Sequence, residues 1–256
     1  VAKKIQIIDL NTDVCDHESA VETIGGLVGA SGYVCVATVH MVMEAHDNPE
    51  FAARVNAADL VVPDGMPLVW MQKMQGAKDA SRVRGNDLTI NLCRFAEDAG
   101  LSVGFYGGRQ EVLDAILVRT VREFPMMNIA YAYAPPFRKL SEEEDAEVMA
   151  GLRRSAPDIL FVGLGCPKQE NWMAAHRDEL KAVMVGVGAA FDFYAGNLRE
   201  APKWLSNIGL EWLFRLAMEP RRLWRRYLVL NPRFMWLAAR QLIGRKNLQG
   251  WQDGQG

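Results

Sequence analysis

The chain is poor in the residues that build metal sites and covalent frameworks. Its four cysteines, Cys15, Cys35, Cys93 and Cys166, are scattered with no Cys-x-x-Cys pair, and it has only four histidines. That spacing favours buried or partly buried thiols in a reducing compartment and argues against a zinc site. No Asp-x-Asp triplet occurs, which weakens any reading based on a metal-held nucleotide sugar. No Gly-x-x-x-x-Gly-Lys-Ser/Thr loop is present either. No apolar run approaches the roughly eighteen uninterrupted residues that a spanning helix needs. The opening VAKKIQIIDL has neither the apolar stretch nor the small-residue cleavage site of a signal peptide, so the cytoplasm is the expected compartment.

What is present is a chain of 256 residues, half of them apolar, enough to bury a sizeable core. Charge is unevenly placed. Residues 211–246 hold nine Arg or Lys against two Glu, a net +7 in a chain of formal net charge −2, which leaves about −9 elsewhere. Trp212, Leu213, Phe214, Trp224, Tyr227, Phe234 and Trp236 are interleaved with those arginines. Aromatic residues among basic ones favour the boundary between water and hydrocarbon, so this stretch reads as a foot for an anionic membrane surface. The competing reading is a packed helical bundle with a charged solvent face. Nucleic-acid binding fits poorly, because the basic charge is mixed with Trp and Leu and no recognised motif accompanies it.

Short apolar runs alternate with amphipathic segments through most of the chain. The expected strands are Ile5–Ile8, Tyr33–Ala37, Leu60–Val62, Ser102–Tyr106, Asn128–Tyr133, Ile159–Val162 and Val183–Val187. Helical periodicity falls near His17–Val28, Pro49–Ala57, Asn86–Asp98, Gln110–Phe124, Glu142–Ser155 and Lys168–Leu180. Strands separated by helices of this length predict a Rossmann-like α/β fold, with a largely parallel sheet flanked by helices. The strand pattern stops after Asn197. Residues 1–197 therefore read as an α/β catalytic body, 198–246 as a basic, aromatic helical appendage and 247–256 as a frayed polar tail. Pro202, Pro220 and Pro232 punctuate the appendage into Lys203–Leu216, Arg221–Leu230 and Arg233–Gly244, with Pro220 and Pro232 at helix starts.

Ligands of open α/β sheets sit beyond the carboxyl ends of the strands. Asp64, in LVVPDGMP, follows a strand at a tight Pro-Asp-Gly bend, either as a base or acceptor in a cleft or as a turn Asp bonded to its own backbone. Thr38 and His40 follow the preceding strand and can line the same crevice. Arg82 and Arg84 precede Gly85 and a helix start, where guanidinium groups can receive diphosphate oxygens or simply be a solvated edge. In FVGLGCPKQENW, Gly163 and Gly165 permit close backbone approach. Pro167 then opens a helix whose first turn carries Lys168, Gln169 and Glu170, able to balance phosphate charge or hydrogen-bond a sugar or base. The pattern Gly-x-Gly-x-x-Lys lacks the third small residue of a dinucleotide fingerprint, which disfavours a nicotinamide-dependent oxidoreductase. Farther on, Gly186-Val-Gly188 makes another strand-end turn, and Asp192 either contacts a ligand or ties that turn down.

The segments PDGMPLVW, RVRGNDL, APPFRKLSEEEDAEV, DILFVGLGCPKQENW, VGVGAAFDFYAG and GLEWLFRLAMEPRRLWRRY together resemble the WecG/TagA/CpsF family of bacterial glycosyltransferases, glycosyltransferase family 26. The resemblance runs in order from about Ile5 to Arg245. It implies an inverting, metal-independent enzyme, without a cofactor, that moves a sugar from a UDP-sugar to an undecaprenyl-diphosphate-linked acceptor in envelope polysaccharide or teichoic acid synthesis. N-acetylmannosamine is the leading donor sugar on this basis, ahead of glucose, glucuronic acid and N-acetylmannosaminuronic acid. By motif, Asp64 is similar to the family's proposed base and Thr38 to its polar partner. Arg82 matches the residue near the donor diphosphate, Gln169 another substrate-binding residue, and Arg215, Arg222 and Arg225 the C-terminal arginine series thought to complete the site. His40 stands where relatives often carry Asn, and Arg84 adds a charge where some carry a small polar residue. The implied location is the inner face of the cell membrane, held peripherally; exposed apolar helices also make a homodimer an expectation. A non-enzymatic membrane-surface scaffold is the reading from a different class.

Overall fold

The computed structural model describes residues 3–253. Its centre is a six-stranded sheet, all of whose pairings are parallel. With β1 at Lys4–Ile7 and β2 at Leu10–Asp13 forming a separate hairpin, the sheet consists of β3 (Gly32–Ala37), β4 (Leu60–Pro63), β5 (Ser102–Gly107), β6 (Asn128–Tyr133), β7 (Ile159–Gly163) and β8 (Val183–Gly186), in the order β4-β3-β8-β7-β5-β6. Every residue of β3, β4 and β8 is buried, as expected of strands covered by helices on both faces. From β3 the chain moves to one edge and from β5 to the other, and β7 and β8 fill the middle. That is the topology that opens a crevice beyond the strand ends.

The first expected strand differs in its partner. Instead of joining the sheet, Lys4–Ile7 turns back at Ile8, whose φ is 58°, and pairs antiparallel with Leu10–Asp13. Ile5, Ile7 and Leu10 are nevertheless buried in the same apolar cluster as Met41, Val42 and Phe51. Three helices were also absent from the sequence reading, one of them the short Ala190–Tyr194. Val39–Asp47 begins directly after Thr38, and Met66–Met74 begins after Gly65.

The C-terminal segment is helical, as expected, and is laid over the body. It comprises the helices Lys203–Asn207, Glu211–Met218 and Pro220–Trp224, a π turn at Arg225–Val229, and a long helix Leu230–Asp253. Pro220 does open a helix. Pro232 does not; it lies inside the first turn of the long helix, immediately after the π turn. Proline lacks an N–H and crowds the carbonyl of the preceding turn, and a widened turn relieves both. The helix continues to Asp253, covering much of the tail read as frayed; residues 254–256 lie outside those described.

Three contacts anchor the long helix. Phe234 and Ala238 are buried in the core cluster containing Val39 and Met43. Arg233 donates to both carboxylate oxygens of Asp47, at 2.6 and 2.5 Å. Gln241 clamps the hairpin, accepting from Ile8 N–H at 2.9 Å and donating to Gln6 C=O at 2.8 Å. Among the described residues, no helix is long and apolar enough to cross a membrane.

Candidate active site

A cleft of about 330 Å³ lies beyond the strand ends and is roofed by the C-terminal segment. Adjacent parallel strands place its first two polar groups. Thr38 follows β3 and Asp64 follows β4, and the Asp64 N–H donates to Ala37 C=O at 2.9 Å. Arg82 comes from the next loop, fixed where Val83 N–H donates to Pro63 C=O at 2.9 Å.

Arg82 is the organising cation. Its Nη2 donates to Asp64 Oδ1 at 3.1 Å, its Nε to the Asp64 backbone carbonyl, and its Nη1 to Ser206 Oγ at 3.0 Å and Glu211 Oε2 at 2.9 Å. Burial opposes the charge on Arg82, but Asp64 and Glu211 outweigh it and hold the guanidinium above its ordinary value. Glu211 in turn is raised by burial yet ends below the usual range, because Arg82, Ser206 and Arg84 favour its ionised form. Arg84 lies 3.3 Å from Glu200 and 3.8 Å from Glu211.

The other wall is cationic and short of carboxylates. Arg215, Arg222 and Arg226 all line the cleft. Arg226 Nη2 donates to Thr38 Oγ1 at 3.2 Å, and burial together with Arg215 and Arg222 depresses its pKa. Arg215 has Nε and Nη2 buried with no hydrogen-bond partner, and its guanidinium sits 5.2 Å above the Phe193 ring. Among the described residues, Arg222 alone of the three pairs with an acid, Glu219. Buried donors without acceptors cost free energy, so this wall is complementary to an anion with several oxygens.

The structure separates the remaining candidates. Gly163, Gly165, Gln169, Gly188 and Asp192 line the cleft. At Gly163 the missing side chain makes room for Phe191, whose ring would lie 2.4 Å from a Cβ; this close approach serves packing beneath the cleft. Lys168 lies in a neighbouring hollow with Trp172 and His176. Glu170 is fully buried and faces inward. Gln169 Nε2 donates to Glu170 Oε1 at 2.7 Å, while Gln169 Oε1 accepts from Gly165 N–H at 3.0 Å. Burial pushes the Glu170 carboxyl up to about 7. Its place in the first turn after Pro167 turns it toward the core, so it does not reach a ligand.

Arg225 is exposed and outside the cleft. Arg226 takes the place expected of it. No local signal separates the two, since Arg225 and Arg226 stand three and four residues after Arg222 and both spacings fall on one helical face. Sequence reasoning missed Glu211 and Ser206 as well, both of which reach Arg82 only through the fold-back of the C-terminal segment. His40 lines a narrower chamber adjoining the cleft, with Nδ1 buried and unpartnered. Burial and the nearby Arg226 pull its pKa down to about 4, so the ring is uncharged near neutrality. Among the described residues, no three His, Cys, Asp or Glu side chains converge as metal ligands would.

Fold and cleft together define a mixed α/β protein that presents a carboxylate and a guanidinium cluster at parallel strand ends. The chain belongs to the WecG/TagA/CpsF family of glycosyl transferases, whose sequence profile matches residues 5–248. It is 32% identical over 235 residues, 91% of this chain and 89% of the relative, to an N-acetylglucosaminyldiphosphoundecaprenol N-acetyl-β-D-mannosaminyltransferase of Bacillus spizizenii. A protein of the same description from Bacillus subtilis is 30% identical over 175 residues, covering 68% of this chain and 66% of that protein.

Proposed function

We propose that the cleft transfers a sugar, N-acetylmannosamine in the leading case, from a UDP-sugar to a saccharide carried on undecaprenyl diphosphate. The observation that carries this reading is the arginine wall facing Asp64, because a nucleoside diphosphate supplies the oxygens that the buried Nε and Nη2 of Arg215 lack among the described residues, beside an Arg226 bonded to the Thr38 hydroxyl. In the proposed step, Asp64 takes the proton from an acceptor hydroxyl as that oxygen bonds to the donor anomeric carbon. The bond from that carbon to the diphosphate oxygen breaks on the opposite face, inverting the centre and releasing UDP. Guanidinium groups placed before the reaction stabilise the charge on the leaving diphosphate without a bound cation. Thr38 orients Arg226 toward that charge. Both relatives' descriptions name N-acetylmannosaminyl transfer, which supports the donor choice; glucosyl, glucuronosyl and N-acetylmannosaminuronosyl donors are the competing cases. The basic, aromatic segment supports a site of action at the inner membrane face, where such an acceptor resides.

UDP release and product formation, measured for these four UDP-sugars with a short polyprenyl-diphosphate-linked N-acetylglucosamine, test the reading. One donor should transfer well and continue to do so in excess EDTA. Equal weak hydrolysis of all four, without transfer, overturns it, and strict dependence on Mg²⁺ or Mn²⁺ overturns the metal-free step.

A further inference from the structure

Asp64 fronts two compartments. The wide cleft and the narrower chamber of about 100 Å³ share Thr38, Asp64, Arg82, Glu211, Arg215 and Arg226. Beyond that common boundary their walls differ in chemistry. The wide cleft continues into the strand-end turns at Gly165 and Gly188, with Gln169, Asp192 and Arg222, groups suited to a nucleoside diphosphate. The narrow chamber continues between Met66 and Pro67 of the body and Trp212, Tyr227 and Asn231 of the C-terminal segment, with His40 on its wall.

Aromatic rings and neutral hydrogen-bonding groups suit a pyranose, whose C–H faces lie against aromatic planes while its hydroxyls need both donors and acceptors. Trp212 and Tyr227 stand 5.8 Å apart at 52°, forming one aromatic corner. His40 is uncharged, since burial and Arg226 hold its pKa near 4, so its ring offers one donor and one acceptor. Asn231 offers both in its amide. A base that accepts a proton from one substrate while the other is attacked must touch both, and Asp64 is among the residues that do.

We infer that the narrow chamber is the acceptor subsite, taking the terminal sugar of the lipid-linked acceptor against Trp212, with His40 and Asn231 reading its hydroxyls. This assignment rests on the proposed transferase reading. It also fits the direction from which a lipid-borne sugar arrives. Tyr227 and Asn231, one turn apart on the chamber wall, alternate with Trp224, Leu228 and Met235, which are exposed on the outside of the same segment. Such an acceptor keeps its prenyl chain along that apolar exterior while its sugar enters beside Asp64.

The test compares the parent with Trp212→Ala, Trp212→Phe and Asn231→Ala. It measures UDP affinity by calorimetry and steady-state transfer while short polyprenyl-diphosphate-linked N-acetylglucosamine is titrated. Trp212→Ala should raise the acceptor KM at least ~10-fold, on the scale of a lost aromatic contact with its packing. Trp212→Phe should restore it to within about threefold, and UDP affinity should stay within about twofold throughout. An unchanged acceptor KM overturns the assignment, and so does a parallel loss of UDP affinity, which gives the chamber to the donor. Asn231→Ala, with its own expected rise in acceptor KM, decides the matter should Trp212→Ala fail to fold. A parent that transfers nothing refutes the transferase reading separately. In that event equilibrium binding of the same acceptor, present in the parent and lost in Trp212→Ala, still supports the chamber, and no binding by the parent overturns it.

Discussion

Every residue of β3 and β4 is buried, whereas between Glu211 and Gly244 only Leu223, Tyr227, Phe234 and Ala238 are. The α/β body is thus held by apolar burial on both sheet faces. The C-terminal segment is held by a few apolar anchors, charge-assisted bonds such as Arg233 to Asp47, and the cleft pairing of Glu211 with Arg82. The outer face of the segment keeps Trp224, Leu228, Met235 and Trp236 about half exposed or more. A region attached this lightly can supply charged groups to a site without adding much to the core. The contrast also shows that the site is composite, with Thr38, Asp64 and Arg82 from the body and Glu211, Arg215, Arg222 and Arg226 from the segment.

The sharpest way to break this division is at its two chemical ends. Asp64→Asn, isosteric and on the body side, should lower turnover by at least ~100-fold while UDP affinity and thermal stability stay near the parent's, the scale of lost general-base catalysis. Turnover within threefold of the parent removes Asp64 from the role. On the segment side, Arg226→Ala should lower kcat by roughly 10- to 100-fold, the range for losing one preorganised donor to developing charge. Arg225→Ala, one residue away but exposed, should stay within about twofold on a soluble acceptor. Equal effects at the two positions mean that the segment does not dock as described.

How the segment is anchored gives the next effect. Truncation to an empty cavity at Phe234, 1% exposed, should cost about 3–4 kcal/mol. Phe234→Ala should therefore lower the urea midpoint clearly. A change under about 1 kcal/mol means the long helix contributes little to the body's stability and can leave it.

Much of the body was legible because its signals are local. Asn128–Tyr133 and Glu142–Ser155 were bounded correctly from periodicity, and Ser141 forms the capping box that starts the latter. The helix Val39–Asp47 was not read, since VHMVMEAHD follows a strand with neither Gly nor Pro between and Thr38 makes no side-chain cap bond to mark the start. β2 was missed because three of the four residues of LNTD are polar, with Thr12 and Asp13 buried by long-range bonds from Gln72 and Val61. The site divides in the same way. Strand ends pointed to Thr38 and Asp64 and a helix start to Arg82, whereas Glu211 meets Arg82 across 129 residues of chain, a contact no local pattern encodes. Arg225, expected in the site, lies outside the cleft that its neighbour Arg226 lines.

A pH experiment sharpens the account of the body. The Glu170 carboxyl has its pKa raised by burial from an ordinary 4.5 to about 7. Between those values the folded state binds more protons than the unfolded one, so stability falls as pH rises through the window and levels off above about 7. The loss across that window is up to about 3 kcal/mol, since holding one proton against the solvent changes stability by about 1.4 kcal/mol for each pH step. Urea unfolding at pH 5 and pH 8 should show this loss in the parent and a smaller one in Glu170→Gln. Identical pH dependence in the two proteins shows that Glu170 does not hold its proton across that range.

The smallest effect bears on the exposed face of the segment. If the segment rests on an anionic bilayer, Arg225 and Arg240 each add about 1 kcal/mol of surface attraction, which is roughly fivefold in partitioning. Arg240 sits 4.7 Å over the Trp236 ring, so charge and aromatic surface approach the interface together. Flotation with vesicles containing anionic lipid should show each of Arg225→Ala, Arg240→Ala and Trp236→Ala binding a few-fold less. Turnover on a soluble acceptor should be spared, because none of these residues lines the cleft. Raising the salt should weaken the parent's binding and shrink the difference made by the arginines, while the Trp236 effect persists. Sedimentation without vesicles separates capture by the bilayer from pairing of two exposed segments, the homodimer that the same face allows. Binding unchanged in all three variants takes the membrane role away from this face and leaves the segment only its contribution to the cleft.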